Sequence, residues 1–277
     1  MMAIKDAARW LFFRRRERST HHSGYDIPTR LMNLTGSGPE TFDAISDWHM
    51  RSLAEHTPIA KDHYVLEMGC GIGRDAIPLT NIIGPNGSYL GIDIVRDSIK
   101  WCQQHISTKH PNFRFVYFDI KDQLHNPAGK RTTTEMTLPT ADGSIDRIFL
   151  WSVFTHMAEV DITHYLREFA RVLKPTGLIL ATWFIVDQEI LAKARTVDLT
   201  PFHLRFEHQV EQDCYVNDLA KPMGAVAYTK AAVSRMLEAA NLALSVEVLP
   251  GSWSGFYSEP KGAQDTTILQ LRSTIKQ

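Results

Sequence analysis

The stretch Tyr64-Val65-Leu66-Glu67-Met68-Gly69-Cys70-Gly71-Ile72-Gly73-Arg74 is a short apolar run that closes on an acidic residue and three glycines at alternate positions. The apolar part fits a buried strand, and the glycines fit a tight turn whose backbone N–H groups can approach a ligand closely. A helix is expected from about Arg74, with Pro78 near its first turn, where a missing N–H does least harm. Strand, glycine turn and helix in that order open an α/β unit and present a positive helix end to whatever the turn holds. The spacing is not that of a dinucleotide turn, because Arg74 stands where a Gly-x-Gly-x-x-Gly pattern needs its third glycine. A P-loop ending in Gly-Lys-Ser/Thr is absent as well. Glu67 at the strand end would repel a phosphate but can accept hydrogen bonds from an ammonium group, so the turn suits a cofactor with an amino-acid end.

The same rhythm continues outward to residue 185. Ser88–Ile92 reads as a second strand closing on Asp93, followed by a helix with Ile99, Cys102 and Ile106 on one face. Phe113–Phe118 reads as a third strand closing on Asp119. Residues 120–140, punctuated by Asn126-Pro127-Ala128-Gly129 and Leu138-Pro139, read as a loop with little helix. Ile145–Trp151 is the fourth strand. Ile162, Tyr165, Leu166, Phe169, Ala170 and Leu173 then mark an amphipathic helix stopped by Pro175, and Gly177–Phe184 is the fifth strand. Residues 187–227 break the pattern with Pro201, His203, His208, Tyr215 and Pro222, and are read as an insertion over the C-terminal edge of the sheet, where open α/β sheets bind ligands. Thr229 is placed to cap a helix carrying Val233, Met236, Leu237 and Ala240, with Asn241 at its end. Leu244–Leu249 and Thr266–Leu271 complete the sheet as an antiparallel pair.

Composition agrees with a soluble enzyme. The 277 residues include 30 Lys and Arg against 31 Asp and Glu, so no global field exists to hold a polyanion, and nucleic acid loses ground as a partner. Three cysteines, Cys70, Cys102 and Cys214, are too scattered for a disulfide framework or a Cys-x-x-Cys zinc site. No His-Glu-x-x-His occurs, and the pair Asp119/Asp122 lacks obvious further ligands, so no metal is expected. No apolar run approaches the ~20 residues of a spanning helix, and residues 1–20 lack the apolar core of a signal peptide. The chain therefore reads as cytoplasmic. Those first residues place Ile4, Ala7, Ala8, Leu11 and Phe12 on one helical face among six basic and two acidic residues. The favoured reading is a lid packed on its own domain, within an N-terminal helical cap spanning 1–60; contact with an anionic membrane is the alternative.

Taken together, Val65 to Arg74, Gly91-Ile92-Asp93-Ile94, Asp119, Leu138-Pro139, Ser144-Ile145-Asp146, Ser152-Val153-Phe154-Thr155-His156-Met157 and Arg171-Val172-Leu173-Lys174-Pro175-Thr176-Gly177 resemble the class I S-adenosylmethionine-dependent methyltransferases. The resemblance covers residues 62–185 well and the final helix and strands loosely. It implies a doubly wound, mostly parallel, seven-stranded Rossmann-like sheet within 61–277, with S-adenosylmethionine as cofactor. It places Gly69, Gly71 and Gly73 under the cofactor, Glu67 near its amino group and Arg74 toward its carboxylate. It also implies that Asp93 grips both ribose hydroxyls with Ile94 beside it, and that Asp119 and the Ile120 backbone meet the adenine. Trp151 and Ser152 would line the methionine end. For Asp119, a solvated loop acid is an equally good reading.

Methyl transfer to a small molecule, with an oxygen acceptor preferred to nitrogen, is the expected reaction. The protein's task is to align nucleophile, methyl and sulfur and to exclude water. His156, just after the fourth strand, is the best candidate for a general base, since its pKa near neutrality suits proton removal; capping or packing is the competing role. His203, His208, Tyr215 and Tyr228 are weaker candidates. Nucleic-acid methylation is disfavoured by resemblance, because no Pro-Cys nucleophile exists and Trp151-Ser152-Val153-Phe154 replaces an Asn/Asp-Pro-Pro-aromatic turn. Two readings from other classes stay open: a regulatory or scaffolding protein that binds the cofactor without turnover, and a nicotinamide-dependent oxidoreductase.

Overall fold

A computed structural model describes residues 18–36, 38–200 and 202–272. The basic amphipathic stretch expected at the start of the chain lies almost wholly outside the described residues. The described chain opens with a hairpin, β1 (Ser19–His22) and β2 (Tyr25–Pro28), followed by α1 (Thr29–Met32), a 3₁₀ turn Asn33–Thr35 and the long α2 (Pro39–His56). Pro39 begins α2 where its missing N–H costs nothing, and Phe42, Ser46, His49 and Leu53 form its buried stripe at helical spacing.

Then follow β3 (Tyr64–Met68), α3 (Ala76–Leu79), β4 (Ser88–Asp93), α4 (Arg96–Cys102), β5 (Phe113–Tyr117), β6 (Ile145–Leu150), α5 (Glu159–Val172) and β7 (Leu173–Trp183). The remainder is β8 (Ile185–Val186), α6 (Gln188–Val197), β9 (His208–Glu211), β10 (Cys214–Val216), β11 (Val226–Thr229), α7 (Lys230–Ala239), β12 (Leu242–Leu244) and β13 (Asp265–Leu271). The central sheet has seven strands in the order β12-β13-β7-β6-β3-β4-β5, parallel except for β13. This is the expected Rossmann-like sheet. Strand order reverses at β3, with β4 on one side and β6 on the other, so a crevice opens at their C-terminal ends. Register aligns those ends: Met68 lies opposite Ile92 and Glu67 opposite Phe149, which brings Gly69, Asp93 and Trp151 to one edge.

Alternation along β3 sends Leu66 and Met68 into the core under α5 and α7, and Val65 into the core under α2 and α4. Both faces of the sheet are thereby covered, as a parallel sheet requires.

Several expectations need correction in detail. The helix after the glycine turn starts at Ala76 and lasts one turn. Pro175 does not stop α5, which ends at Val172; it sits inside β7, where the β6 register shifts between Ile145 and Arg147. A bulge of this kind accommodates a residue with no N–H to offer the ladder. The strand expected over Leu244–Leu249 runs instead from Leu242 to Leu244, launched directly from α7 by Asn241 at φ 56°. The bond Ser245 N to Ile268 O and the reciprocal pair between Leu249 and Thr266 keep the following residues beside β13.

The 187–227 segment is more regular than its sequence indicates. It supplies α6 and three strands of a second sheet, ordered β8-β11-β10-β9, over a separate core that includes Phe184, Phe206, Tyr215 and Trp253. Buried Asp265 at the start of β13 ties the two sheets together by accepting from Ile185 N, Gly251 N and Trp253 Nε1, each at 2.8 Å.

Candidate functional site

The crevice at the C-terminal edge of β3, β4 and β6 is a cavity of about 450 Å³. Its floor is the glycine turn. The N–H groups of Gly69 and Cys70 donate to the Ile92 carbonyl at 2.8 and 3.1 Å, which pins the turn to the end of β4. Gly69, Gly71 and Gly73 all have positive φ, at 79°, 53° and 80°. A Cβ on Gly71 would stand 3.1 Å from Thr35 Cγ2, and one on Gly69 would stand 2.6 Å from Val153 Cγ2. Leu34, Thr35 and Gly36, from the turn before α2, close the cavity above.

Asp93 organises this edge. Oδ2 accepts from Gly71 N and Oδ1 from Val95 N, both at 2.7 Å, and each oxygen keeps a second lone pair for a further donor. Burial raises its carboxyl above the ordinary value, with the two backbone donors opposing. Glu67 is 3% exposed and accepts a hydrogen bond from the Tyr89 hydroxyl. Burial, reinforced by the nearby Asp75 charge, pushes the Glu67 carboxyl well up. It is a buried acid in the cavity wall, and the Tyr89 hydroxyl and the Arg74 charge offset only part of the cost of ionising it.

Trp151 forms the next wall. His49 stacks on it at 4.1 Å and 5° between planes, Trp48 meets its edge at 5.3 Å, and Asp75 anchors His49 through a 2.6 Å contact to Nδ1. The Trp151 indole N–H is buried without a hydrogen-bond partner among the described residues. Ser152 turns away at φ 55°, held by Thr182 Oγ1 on its N–H and by Gln264 Nε2 on its hydroxyl. Positive φ at a non-glycine residue is a strained state found at ligand-binding edges.

Of the residues marked in the sequence, Glu67, Gly69, Gly71, Arg74, Asp93, Ile94, Ile120, Trp151, Ser152 and His156 line this one cavity. Gly73 and Asp119 do not. A Cβ on Gly73 would meet Ile106 Cδ1 at 2.6 Å and Cys102 Sγ at 3.2 Å, so this glycine lets α4 and its continuation pack on the turn. The Asp119 carboxylate accepts from Tyr117 Oη at 2.7 Å, while its carbonyl takes the N–H groups of Lys130 and Arg131. Three residues on, Asp122 and His125 face the cavity instead, 3.3 Å apart. The hydrogen bond to Asp122 raises the His125 pKa; burial pushes the Asp122 carboxyl up, but the bonds from His125 and Leu124 outweigh it and hold it low.

Beyond the glycine turn the wall changes character. His156, Met157, Asp161, Tyr165, Thr133 and Met223 line it. Among the described residues of the 187–227 segment, only the Pro222–Met223 turn reaches the cavity; His203 pairs with Asp198 at 2.8 Å on the surface, and Tyr228 donates to the Met157 carbonyl at 2.9 Å. Asp161 and Tyr165 stand one turn apart on α5; Tyr165 was legible only as a member of the apolar stripe, and Asp161 was not singled out. A tyrosine within that stripe was the available signal.

His156 Nδ1 lies 3.1 Å from the Met223 carbonyl oxygen. A carbonyl only accepts, so Nδ1 carries the proton and Nε2 keeps a lone pair. Burial lowers the pKa of this imidazole, which favours the neutral form.

The comparisons with known proteins agree with the fold. Residues 65–177 match the family described as a methyltransferase domain. The match covers the glycine turn and Asp93, within the stretch whose motifs resemble the class I S-adenosylmethionine-dependent methyltransferases. It is 28% identical over 151 residues to methyltransferase GfsG of Streptomyces halstedii, covering 53% of this chain and 48% of that protein. It is 28% identical over 131 residues to an arsenite methyltransferase of Aquipseudomonas alcaligenes, covering 47% and 35%. The chain spans half or less of the length of these curated relatives. A SAM-dependent methyltransferase from Aquifex aeolicus shares the fold, with TM-score 0.51 at 16% identity over 87% of this chain and 97% of that one.

The residues present fit such a cofactor. Gly71 leaves a cradle that a side chain would fill, Asp93 has free lone pairs, and the orphaned Trp151 N–H and the buried Glu67 acid supply a donor and an acceptor.

Proposed function

We propose that this protein transfers the methyl group of S-adenosylmethionine to a hydroxyl of a small-molecule acceptor. When bound, the cofactor supplies a methyl carbon already activated by its sulfonium. The chain's residues bind, orient and deprotonate. Gly69, Gly71 and Arg74 hold the amino-acid end with Glu67, whose buried carboxyl gains a cationic partner in the ammonium. The Asp93 lone pairs left over from Gly71 and Val95 accept from the ribose hydroxyls, with Ile94 beside them. Ile120 packs on the base, and Trp151 and Ser152 border the methionine end. A role for Asp119 at the base would require its side chain to leave Tyr117.

The observation that carries the oxygen acceptor is the tautomer of His156. With Nδ1–H committed to Met223, Nε2 is the basic atom, and its depressed pKa keeps it unprotonated at neutral pH. Nε2 would take the proton of the acceptor hydroxyl, and the bound cofactor would supply the methyl carbon together with a sulfur able to depart as a neutral thioether. Met157, Met223 and the turn Leu34–Gly36 exclude water around the reacting atoms.

Two measurements test this reading. Calorimetric titration with S-adenosylhomocysteine and with NAD should show binding of the first alone. Incubation with methyl-labelled S-adenosylmethionine and a panel of hydroxylated small molecules should then transfer label. Binding of NAD in place of S-adenosylhomocysteine would overturn the reading, and binding without transfer to any acceptor would favour a regulatory role.

A further inference from the structure

Asp161 differs from four partly buried carboxylates of this protein that have an ionic partner, and from Asp119, which has none but is held by the Tyr117 hydroxyl. Asp146 pairs with Lys174, Glu168 with Arg171 and Asp213 with Arg235, each at 2.7 Å, and Asp122 pairs with His125 at 3.3 Å. Among the described residues, no lysine, arginine or histidine nitrogen lies within 4.0 Å of the Asp161 carboxylate, although its side chain borders the cavity. The hydroxyl of Thr133, itself buried and in the cavity wall, bonds to it, and His164 acts on it only from a distance, through its charge. His164, one turn further along α5, donates Nε2–H to the Met136 carbonyl at 2.7 Å.

The positive end of α5 explains why an acid in the first turn is tolerated. It does not explain where the side chain goes, because α5 has no side-chain cap bond at its N-terminus. Asp161 and Tyr165 follow each other at i and i+4 on the face turned to the cavity. Beside them are Met157, Met223 and Phe118, which are apolar and polarisable. A carboxylate without a cation, set against an aromatic ring and apolar walls, is half of a charge pair whose other half must come from the ligand. Burial raises the Asp161 carboxyl above its ordinary value, against the opposing pull of the Thr133 hydroxyl and the His164 charge.

We propose that the methyl acceptor carries an ammonium group, remote from its reacting hydroxyl, that seats against Asp161 between Thr133 and Tyr165. The proposal rests on the methyl-transfer reading and narrows its substrate to hydroxyl-bearing amines. Asp161 is a specificity residue in it and takes no part in the proton transfer assigned to His156.

The test uses the full chain saturated with S-adenosylhomocysteine, whose binding is measured first. Size-matched pairs are then titrated: tyramine against 4-ethylphenol, and serotonin against 3-ethylindol-5-ol. At least one amine should bind about tenfold or more tightly than its neutral partner, a difference of ~1.4 kcal/mol. Asp161→Asn, which preserves shape and the contact to Thr133, should abolish that preference, and Asp161→Glu should retain part of it. Both variants should bind S-adenosylhomocysteine normally, which also reports that they fold. Equal binding within every pair, or a preference that survives Asp161→Asn, overturns the proposal alone. Failure of S-adenosylhomocysteine to bind the unaltered protein removes the methyl-transfer reading and this proposal with it.

Discussion

The backbone N–H of Gly71 donates to Oδ2 of Asp93 at 2.7 Å, so the glycine turn after β3 and the carboxylate at the end of β4 are one unit. A single substitution at Asp93 therefore acts twice. Asp93→Ala removes the acceptor for the ribose hydroxyls and releases the turn that lies under the rest of the cofactor. Affinity for S-adenosylhomocysteine should fall by about 1.5–3 kcal/mol, the usual worth of hydrogen bonds to a charged group. An unchanged dissociation constant in calorimetry would remove Asp93 from the site.

Gly71 and Gly73 should separate binding from packing. Gly71→Val forces a branched side chain into positive φ and toward Thr35, on the surface where the cofactor must lie. It should abolish S-adenosylhomocysteine binding in a protein that still unfolds cooperatively. Gly73→Ala drives a methyl into Ile106 and Cys102, away from the cavity. Its main effect should be a lower melting temperature, from overpacking that costs about 1–3 kcal/mol. The reverse pattern would mean that the turn has been assigned the wrong way round.

Glu67 offers a pH test. Its folded carboxyl titrates above its unfolded value, because burial and the Asp75 charge disfavour ionisation. The folded state thus holds a proton that the unfolded state releases, so this group's contribution to stability is complete below the unfolded value and is lost as pH rises through the folded one. Glu67→Gln mimics the protonated form and can still accept from Tyr89. In the ligand-free protein its melting temperature should exceed that of the unaltered protein, by a margin that grows from pH 5 to pH 8, while its affinity for S-adenosylhomocysteine falls. A margin that shrinks with pH would contradict the assignment.

The sequence disclosed the parts of this site that depend on local chemistry. Glu67, Gly69, Gly71, Asp93 and Trp151 each stand at the end of a strand, where the switch from apolar run to turn is visible in the residues themselves. Asp119 also stands at a strand end, yet its side chain turns back to Tyr117, a choice made by neighbours rather than by its own position. The second sheet was illegible because its strands are two to four residues long and β9 is largely exposed, leaving no alternation to read. Thr35, Asp161 and Met223 reach the cavity from three distant elements, and only tertiary packing brings them together.

His156 is the residue on which the proposed chemistry depends most. If Nε2 takes the acceptor proton, His156→Ala should lower the single-turnover rate by about 10²–10⁴-fold with cofactor affinity nearly intact. If the imidazole only fastens the Met223 turn, the same change should cost ~1 kcal/mol of stability, the typical loss of one buried hydrogen bond, and leave the rate close to normal. Melting temperature and rate measured on one variant distinguish the two. The pH profile adds an independent arm. Because burial lowers the folded pKa below the ordinary 6.5, Nε2 stays basic throughout the neutral range, and the rate should decline only on an acid limb displaced below that value. A rate that already declines as pH drops from 8 to 7 would place the proton acceptor elsewhere and leave His156 as the clasp of the Met223 turn.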